Sequence, residues 1–301
     1  MRISIVIRTL NEEKHLDALL SSIEKQEVEG MEVEVVLVDS GSSDNTLPIA
    51  ESHGCKIVHI TREAFSFGRS LNMGCEAASG EILAMVSGHC VPTDRLWLRA
   101  LCQPLMLNQA SYAYGGQIGG LNSYYSECRI FAKYFPETSK IPQEGFYCNN
   151  ANSAIKRSAW EKYRFDEELT GLEDMELAQR LVNEGDKVAY VAEACVYHYH
   201  EENWRSVKRR FEREAIALRK IMPQVHIHKR DLVRYIFSSI WLDFKKARKD
   251  RIFLAKAIEI IQYRFCQYWG GFVGNNEHRK LSNAQKEEFF YPTELRSKHE
   301  A

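Results

Sequence analysis

The feature that most constrains this chain is an alternation in its first ninety residues. Apolar, β-branched runs at 3–9 (ISIVIRT), 32–38 (EVEVVLV), 55–60 (CKIVHI) and 82–86 (ILAMV) are separated by stretches with helical spacing. The segment after Asn11 carries Leu16, Leu19, Leu20 and Ile23 on one helical face, with Asn11 expected to cap it. Strands that are apolar on both faces, joined by helices, predict a mostly parallel sheet covered on both sides. In such sheets ligands bind beyond the carboxyl ends of the strands. The polar residues expected there are Thr9, Asn11, Asp39, Ser40, Ser87 and His89.

Further along, the glycine-rich YGGQIGG (114–120) and CNNANSAI (148–155) read as strands with turns, and LEDMELAQRLVNEG (172–185) as a partly buried helix with Glu173 and Asp174 in its first turn. Acids there are favoured by the helix macrodipole alone. The run VAYVAEACVYHYH (188–200) is strand-like and ends on His198 and His200, two residues apart and so on one side if the strand persists.

Charge divides the 301 residues unevenly. Positions 203–301 hold 22 Lys+Arg against 11 Asp+Glu, whereas the whole chain has a formal charge of only −1. A basic tail on an acidic body suggests an anionic partner, phosphate or membrane surface. The tail reads as three helices that mix Lys and Arg with Trp204, Phe211, Trp241 and Phe244. That mixture suits a membrane interface. A helical subdomain packed on the rest of the chain or on a second copy, giving a homo-oligomer, is the equal alternative. No stretch reaches ~18 uninterrupted apolar residues, so no membrane span is expected. Nucleic acid is disfavoured by the acidic body and the lack of a recognised motif. The eight cysteines include no C-x-x-C pair, and the N-terminus turns polar after one short apolar run. These features predict reduced thiols that serve packing, and a cytoplasmic protein, with the inner face of the cytoplasmic membrane as its place of work if the tail binds lipid.

Four segments in order, VIRTLNEEKHLDALLSSIEKQ, VVLVDSGSSDNT, ASGEILAMVSGHCVP and GLEDMELAQRL, resemble the inverting family 2 glycosyltransferases of GT-A fold, most of all the rhamnosyltransferase-like enzymes of bacterial surface polysaccharides. The resemblance implies an α/β, Rossmann-like GT-A domain at 1–202 and a basic helical extension at 203–301. It implies transfer of a sugar with inversion from a nucleotide-sugar donor to a hydroxyl of a glycan or lipid-linked glycan acceptor.

Carried over by position, the resemblance places Thr9, Asn11, Glu12, Asp39, Asp44, Arg69, Asn72, Ser87 and His89 at the nucleotide sugar. It makes Asp174 the catalytic base, with Glu173 positioning the acceptor. Asn149, Asn150 and Asn152 are expected at sugar or acceptor hydroxyls, since amides both donate and accept. A carboxylate at Asp39 accepts only, which suits the N3–H of uracil or thymine and favours a UDP or dTDP donor.

The departure is at 87–89, where Ser87 and His89 stand in the two acid positions of the family's Asp-x-Asp. His89 with His198 and His200 would form an imidazole metal site, preferring Mn²⁺ to Mg²⁺. The rival is a metal-free site in which the His89 imidazolium itself offsets phosphate charge. The loss of both acids also keeps a catalytically silent, GT-A-like nucleotide-binding or assembly protein in play as a second class of function.

Overall fold

The computed structural model describes residues 1–277 together with Gln285, Phe289 and Phe290. The rest of the tail expected to belong to the helical extension lies outside the described residues. The chain divides into two compact units. The first comprises Met1–Gly120, Phe135–Leu169 and Glu173–Tyr199; the second comprises Leu121–Tyr134, Thr170–Leu172 and the chain from His200 onward.

In the first unit the order is β1 (Arg2–Thr9), α1 (Glu13–Glu24), β2 (Glu32–Asp39), α2 (Thr46–Ser52), β3 (Lys56–His59), α3 (Phe67–Ala77), β4 (Ile82–Ser87), β5 (Cys90–Pro92), α4 (Trp97–Met106) and β6 (Tyr112–Gly119). Helix α5 (Tyr125–Tyr134) belongs to the second unit. The first then resumes with β7 (Asn152–Lys156), α6 (Arg157–Tyr163), α7 (Glu173–Asn183) and β8 (Val188–His198).

Among the described residues the strands form one sheet in the order β3-β2-β1-β4-β7-β6-β8-β5. Strands β3, β2, β1 and β4 run parallel, β7 is antiparallel to both of its neighbours, β6 and β8 are parallel, and β5 is antiparallel to β8. The alternation read in the sequence is thus the parallel half of the sheet. Strands β1 and β4 are apolar over most of their length because both faces are buried, whereas β2 carries Glu32 and Glu34 at its half-exposed start and β3 is partly exposed. Ile3, Ile5 and Ile7 pack with α1 and α4 residues such as Leu16 and Leu101, while Val6, Leu83 and Met85 pack with Leu71, Trp160 and Leu177 on the other side.

Asn11 does not cap α1. Glu12 occupies that position and makes no side-chain cap. Asn11 instead takes a left-handed φ of 56°, which Asn tolerates better than most residues, and its Oδ1 accepts from Ser43 N at 2.9 Å. The amide therefore ties the β1 loop to the β2 loop, and the sequence rule failed because it weighed only local helix signals.

Asn152 is not available to a sugar. It is fully buried; its Nδ2 donates to the carbonyls of Gly116 and Ala194 at 2.9 and 2.7 Å, and its Oδ1 accepts from Trp97 Nε1 at 2.9 Å. It fills the register shift of β6 against β8 between Gly115 and Gln117. The glycine there is required by space: a Cβ on Gly115 would lie 2.0 Å from the Ala194 carbonyl oxygen and 2.4 Å from Asn152 Nδ2.

The second unit continues with α8 (Trp204–Ile221), α9 (Lys229–Lys249) and α10 (Phe253–Asn275). Among the described residues no helix is long and apolar enough to cross a membrane. The cysteines are free thiols, and burial pushes Cys102 up to about 12, in keeping with packing roles.

Candidate active site

The parallel ladder brings the sheet's polar ends together. Thr9 pairs with Asp39 between β1 and β2, and Arg8 pairs with Ser87 between β1 and β4. Asp39 closes its own turn: its carboxylate accepts from Gly41 N at 2.9 Å and Ser42 N at 3.1 Å, and Thr9 Oγ1 approaches it at 3.5 Å. Asp44 does the same one turn later, accepting from Glu13 N and Thr46 N. Ser42 Oγ accepts from Asn11 N, so β1 and β2 present one braced pair of loops.

Arg69 and Asn72 stand on α3, and both are engaged within the fold. Asn72 Nδ2 donates to Phe165 O and Glu167 Oε1, each at 3.0 Å, and its Oδ1 accepts from Trp160 Nε1 and Phe165 N, each at 3.1 Å. An amide has four such positions, and here all are used, so Asn72 pins α3 to the 165–167 turn and offers a donor sugar nothing further. Arg69 Nε bonds Glu167 Oε2 at 2.7 Å, on the side of the same turn.

Asp174 lies at the start of α7. Its Oδ2 accepts from Asn150 N at 2.8 Å and its Oδ1 from Met175 N at 2.7 Å. Burial, followed by the adjacent charge of Glu173, pushes its carboxyl up to about 7. The Glu173 carboxylate turns instead toward Arg8, 3.6 Å away. Arg8 is held in turn against the Phe67 ring, 4.8 Å from its centroid. Arg8 was missed in the sequence, although a cation at the end of an otherwise apolar strand is a visible signal.

The three Asn residues separate by role. Asn152 belongs to the core, as described. Asn150 Oδ1 accepts from Tyr112 Oη and Ser153 Oγ, while its buried Nδ2 has no hydrogen-bond partner among the described residues. An unsatisfied donor on the residue that also fixes Asp174 costs about 1–3 kcal/mol unless a ligand meets it. Asn149 Oδ1 accepts from Ala151 N and Gln117 Nε2, both at 3.0 Å.

His89 follows β4, and its ring stacks on that of His198 with centroids 5.1 Å apart. The two are brought together by the β5–β8 ladder, in which Cys90 pairs with His198. His89 Nδ1 lies 2.8 Å from Glu12 Oε1, and His198 Nδ1 lies 2.8 Å from Gln117 Oε1. A carboxylate only accepts, so His89 carries its proton on Nδ1. For His198 the assignment follows from the main chain. Ala151 N–H can only donate, which identifies Asn149 Oδ1; that oxygen requires Gln117 Nε2, leaving Gln117 Oε1 to face His198 Nδ1–H.

In each ring, when neutral, Nε2 is then the lone-pair nitrogen, the arrangement that carboxylate and amide partners impose on metal-binding histidines. The pair fits a soft-to-borderline divalent ion by its donor chemistry. Gly88 makes room for the Glu12 side chain that holds His89, because a Cβ there would press on Glu12 Cγ at 2.9 Å. His200 belongs to the second unit, where its Nδ1 lies 2.8 Å from the buried Glu127.

Comparison with known proteins gives a concordant picture. The family model described as glycosyl transferase family 2 matches residues 4–164. The O-antigen chain rhamnosyltransferase RfbN of Salmonella typhimurium is 25% identical over 224 residues, covering 70% of each chain. The mannosyltransferase PcManGT of Pyrobaculum calidifontis, solved with GDP-Man and Mn²⁺, superposes with a TM-score of 0.62 at 15% identity, over 92% of this chain and 88% of that one. Staphylococcus aureus TarS 1–349, solved with UDP-GlcNAc, gives 0.51 at 15% identity over 93% of each. At such identities the structural likeness speaks for the fold, which is GT-A. The family model spans more than half of the chain, and the chain is accordingly a glycosyltransferase belonging to glycosyl transferase family 2.

Proposed function

We propose that this enzyme moves a sugar, with inversion, from a nucleotide-activated donor to a hydroxyl of a glycan or lipid-linked glycan, in bacterial surface polysaccharide or glycoconjugate synthesis. The observation that carries the reading is the Asp174 carboxylate: buried, fixed by Asn150 N–H and raised to about 7. A base of that affinity is ionised in a large fraction near neutrality and is strong enough to take a hydroxyl proton. As the acceptor oxygen attacks the anomeric carbon, its proton passes to Asp174. The bond from that carbon to the diphosphate oxygen breaks on the opposite face, and the nucleoside diphosphate leaves with the electron pair.

Glu173, turned toward Arg8, positions the acceptor, and Asn150 Nδ2 meets a sugar hydroxyl. Thr9, Asn11, Glu12, Asp39 and Asp44 line the nucleotide side. A divalent ion held by Nε2 of His89 and His198 would stabilise the charge that grows on the diphosphate. Since RfbN is a rhamnosyltransferase, deoxyhexosyl donors are the first to try. Donor hydrolysis across UDP-, GDP-, dTDP- and CMP-sugars, with EDTA, Mn²⁺ or Mg²⁺, tests the whole reading: stimulation of one donor class is expected, and inactivity on every donor would defeat it.

The acid limb of the rate profile tests the site. The kcat/KM value should climb as pH passes through about 7, because only ionised Asp174 accepts a proton. Glu173→Gln removes the neighbouring negative charge and should move that limb to lower pH. An unmoved limb would assign the titration elsewhere. The same shift works against stability. Asp174 ionises in its ordinary range when unfolded but only near 7 when folded, so its contribution falls as pH rises between those limits.

A further inference from the structure

The apolar residues of α9 and α10 are more exposed than a folded domain explains. On α10, Leu254, Ile258, Ile261, Phe265 and Trp269 recur at helical spacing along nearly its whole length; Leu254 is 93% exposed and Ile258 73%. On α9, Val233, Phe237 and Trp241 form a second stripe, with Phe237 69% and Trp241 61% exposed.

The two helices run antiparallel, since Phe244 packs on Phe253, Asp243 bonds Arg264, and Ser239 meets Tyr268. At 100° per residue, both stripes lie in the same rotational sense from that line of contact, and in an antiparallel pair such stripes open on the same side. The result is one apolar face built from both helices. Scattered exposed apolar residues need no explanation, but a contiguous face of this length does.

The charges around it select what covers it. Between Lys229 and Lys256 there are nine Lys+Arg and three Asp+Glu. The three acids already face cations of their own unit: Asp231 meets Arg234, Asp243 meets Arg264, and Asp250 meets Lys246. A second copy docked symmetrically would set basic rim against basic rim. An anionic lipid surface is complementary both to the apolar stripes and to the basic rim.

We propose that the α9–α10 face is a membrane-docking surface that lies in the interface of an anionic bilayer without crossing it. The inference rests on the reading above only in that a lipid-linked acceptor gives the docking its use. Binding can be measured with no sugar donor present, so its failure would leave the donor-site chemistry untouched.

The test is co-sedimentation of the full chain with large vesicles of phosphatidylcholine alone or mixed equally with phosphatidylglycerol. Partition onto the mixed vesicles at 50 mM salt should exceed that onto the neutral ones at least tenfold. It should drop at least tenfold at 0.5 M salt, where screening confines charge attraction to a few ångströms. Binding should shift tryptophan emission to the blue through Trp241 and Trp269.

Leu254→Glu with Ile258→Glu should lower partition tenfold or more. Circular dichroism and donor hydrolysis should remain unchanged, because both side chains project into solvent. No binding of the intact chain to anionic vesicles, or equal binding by the double variant, overturns the proposal. So does an intact chain that is dimeric without lipid and becomes monomeric with the two glutamates, which would give the face to a second copy.

Discussion

Asp174→Asn should leave the fold and donor affinity intact and lower turnover by roughly 10²–10⁴-fold, the usual worth of a positioned general base. The amide is isosteric and its oxygen can still accept from Asn150 N–H, while its Nδ2 then faces Met175 N–H, so the fold is kept at the cost of that one local hydrogen bond. What is lost is proton affinity. Single-turnover rates with saturating donor, alongside donor titration by calorimetry, separate the two. A variant that transfers sugar at near the parent rate would remove Asp174 from the mechanism, and one that fails to bind donor would mark it as structural.

His89→Ala carries the second large effect. With both imidazoles presenting Nε2, removal of one should abolish the response to added metal and cost on the order of 10²-fold or more in turnover, since charge stabilisation at the leaving group is a transition-state effect. In the parent, Mn²⁺ should stimulate more than Mg²⁺, because nitrogen donors suit it better. Direct Mn²⁺ binding by electron paramagnetic resonance gives a readout separate from turnover. Full activity in EDTA, with no Mn²⁺ bound, would favour the rival in which the His89 imidazolium faces the phosphates unaided.

The sequence made the parallel half of the sheet legible for a physical reason. Strands buried on both faces must be largely apolar, as Ile3–Ile7, with Ser4 its one polar residue, and Ile82–Val86 are. The turn at Asp39 was legible too, because its hydrogen bonds to Gly41 and Ser42 are local. What stayed hidden depends on partners far along the chain. Asn152 looked like a sugar contact until Gly116 and Ala194 claimed its amide. Asn72 looked like a donor-side residue, but its partners lie 88 or more positions away. Glu12 was read as one of a nucleotide-contacting set, and nothing local announced that it would hold His89, 77 positions on. Gln117, set in a glycine-rich strand, gave no signal at all.

The hydrogen bonds from Ala151 through Asn149 and Gln117 to His198 have a sense of direction, and it is imposed by a peptide N–H that only proline would remove. Two single-atom changes of similar size should therefore behave oppositely. Asn149→Asp puts a carboxylate where an oxygen was already accepting from both sides, so the sequence of donors is undisturbed. Gln117→Glu sets oxygen against the Asn149 oxygen, and neither can yield, because Ala151 N–H holds Asn149 in place. The ring at 198 would lose its alignment, and thermal melting together with Mn²⁺ affinity would separate the tolerated change from the disruptive one. The polarity of an imidazole at the end of β8 is thus inherited from the backbone of a loop far away in sequence.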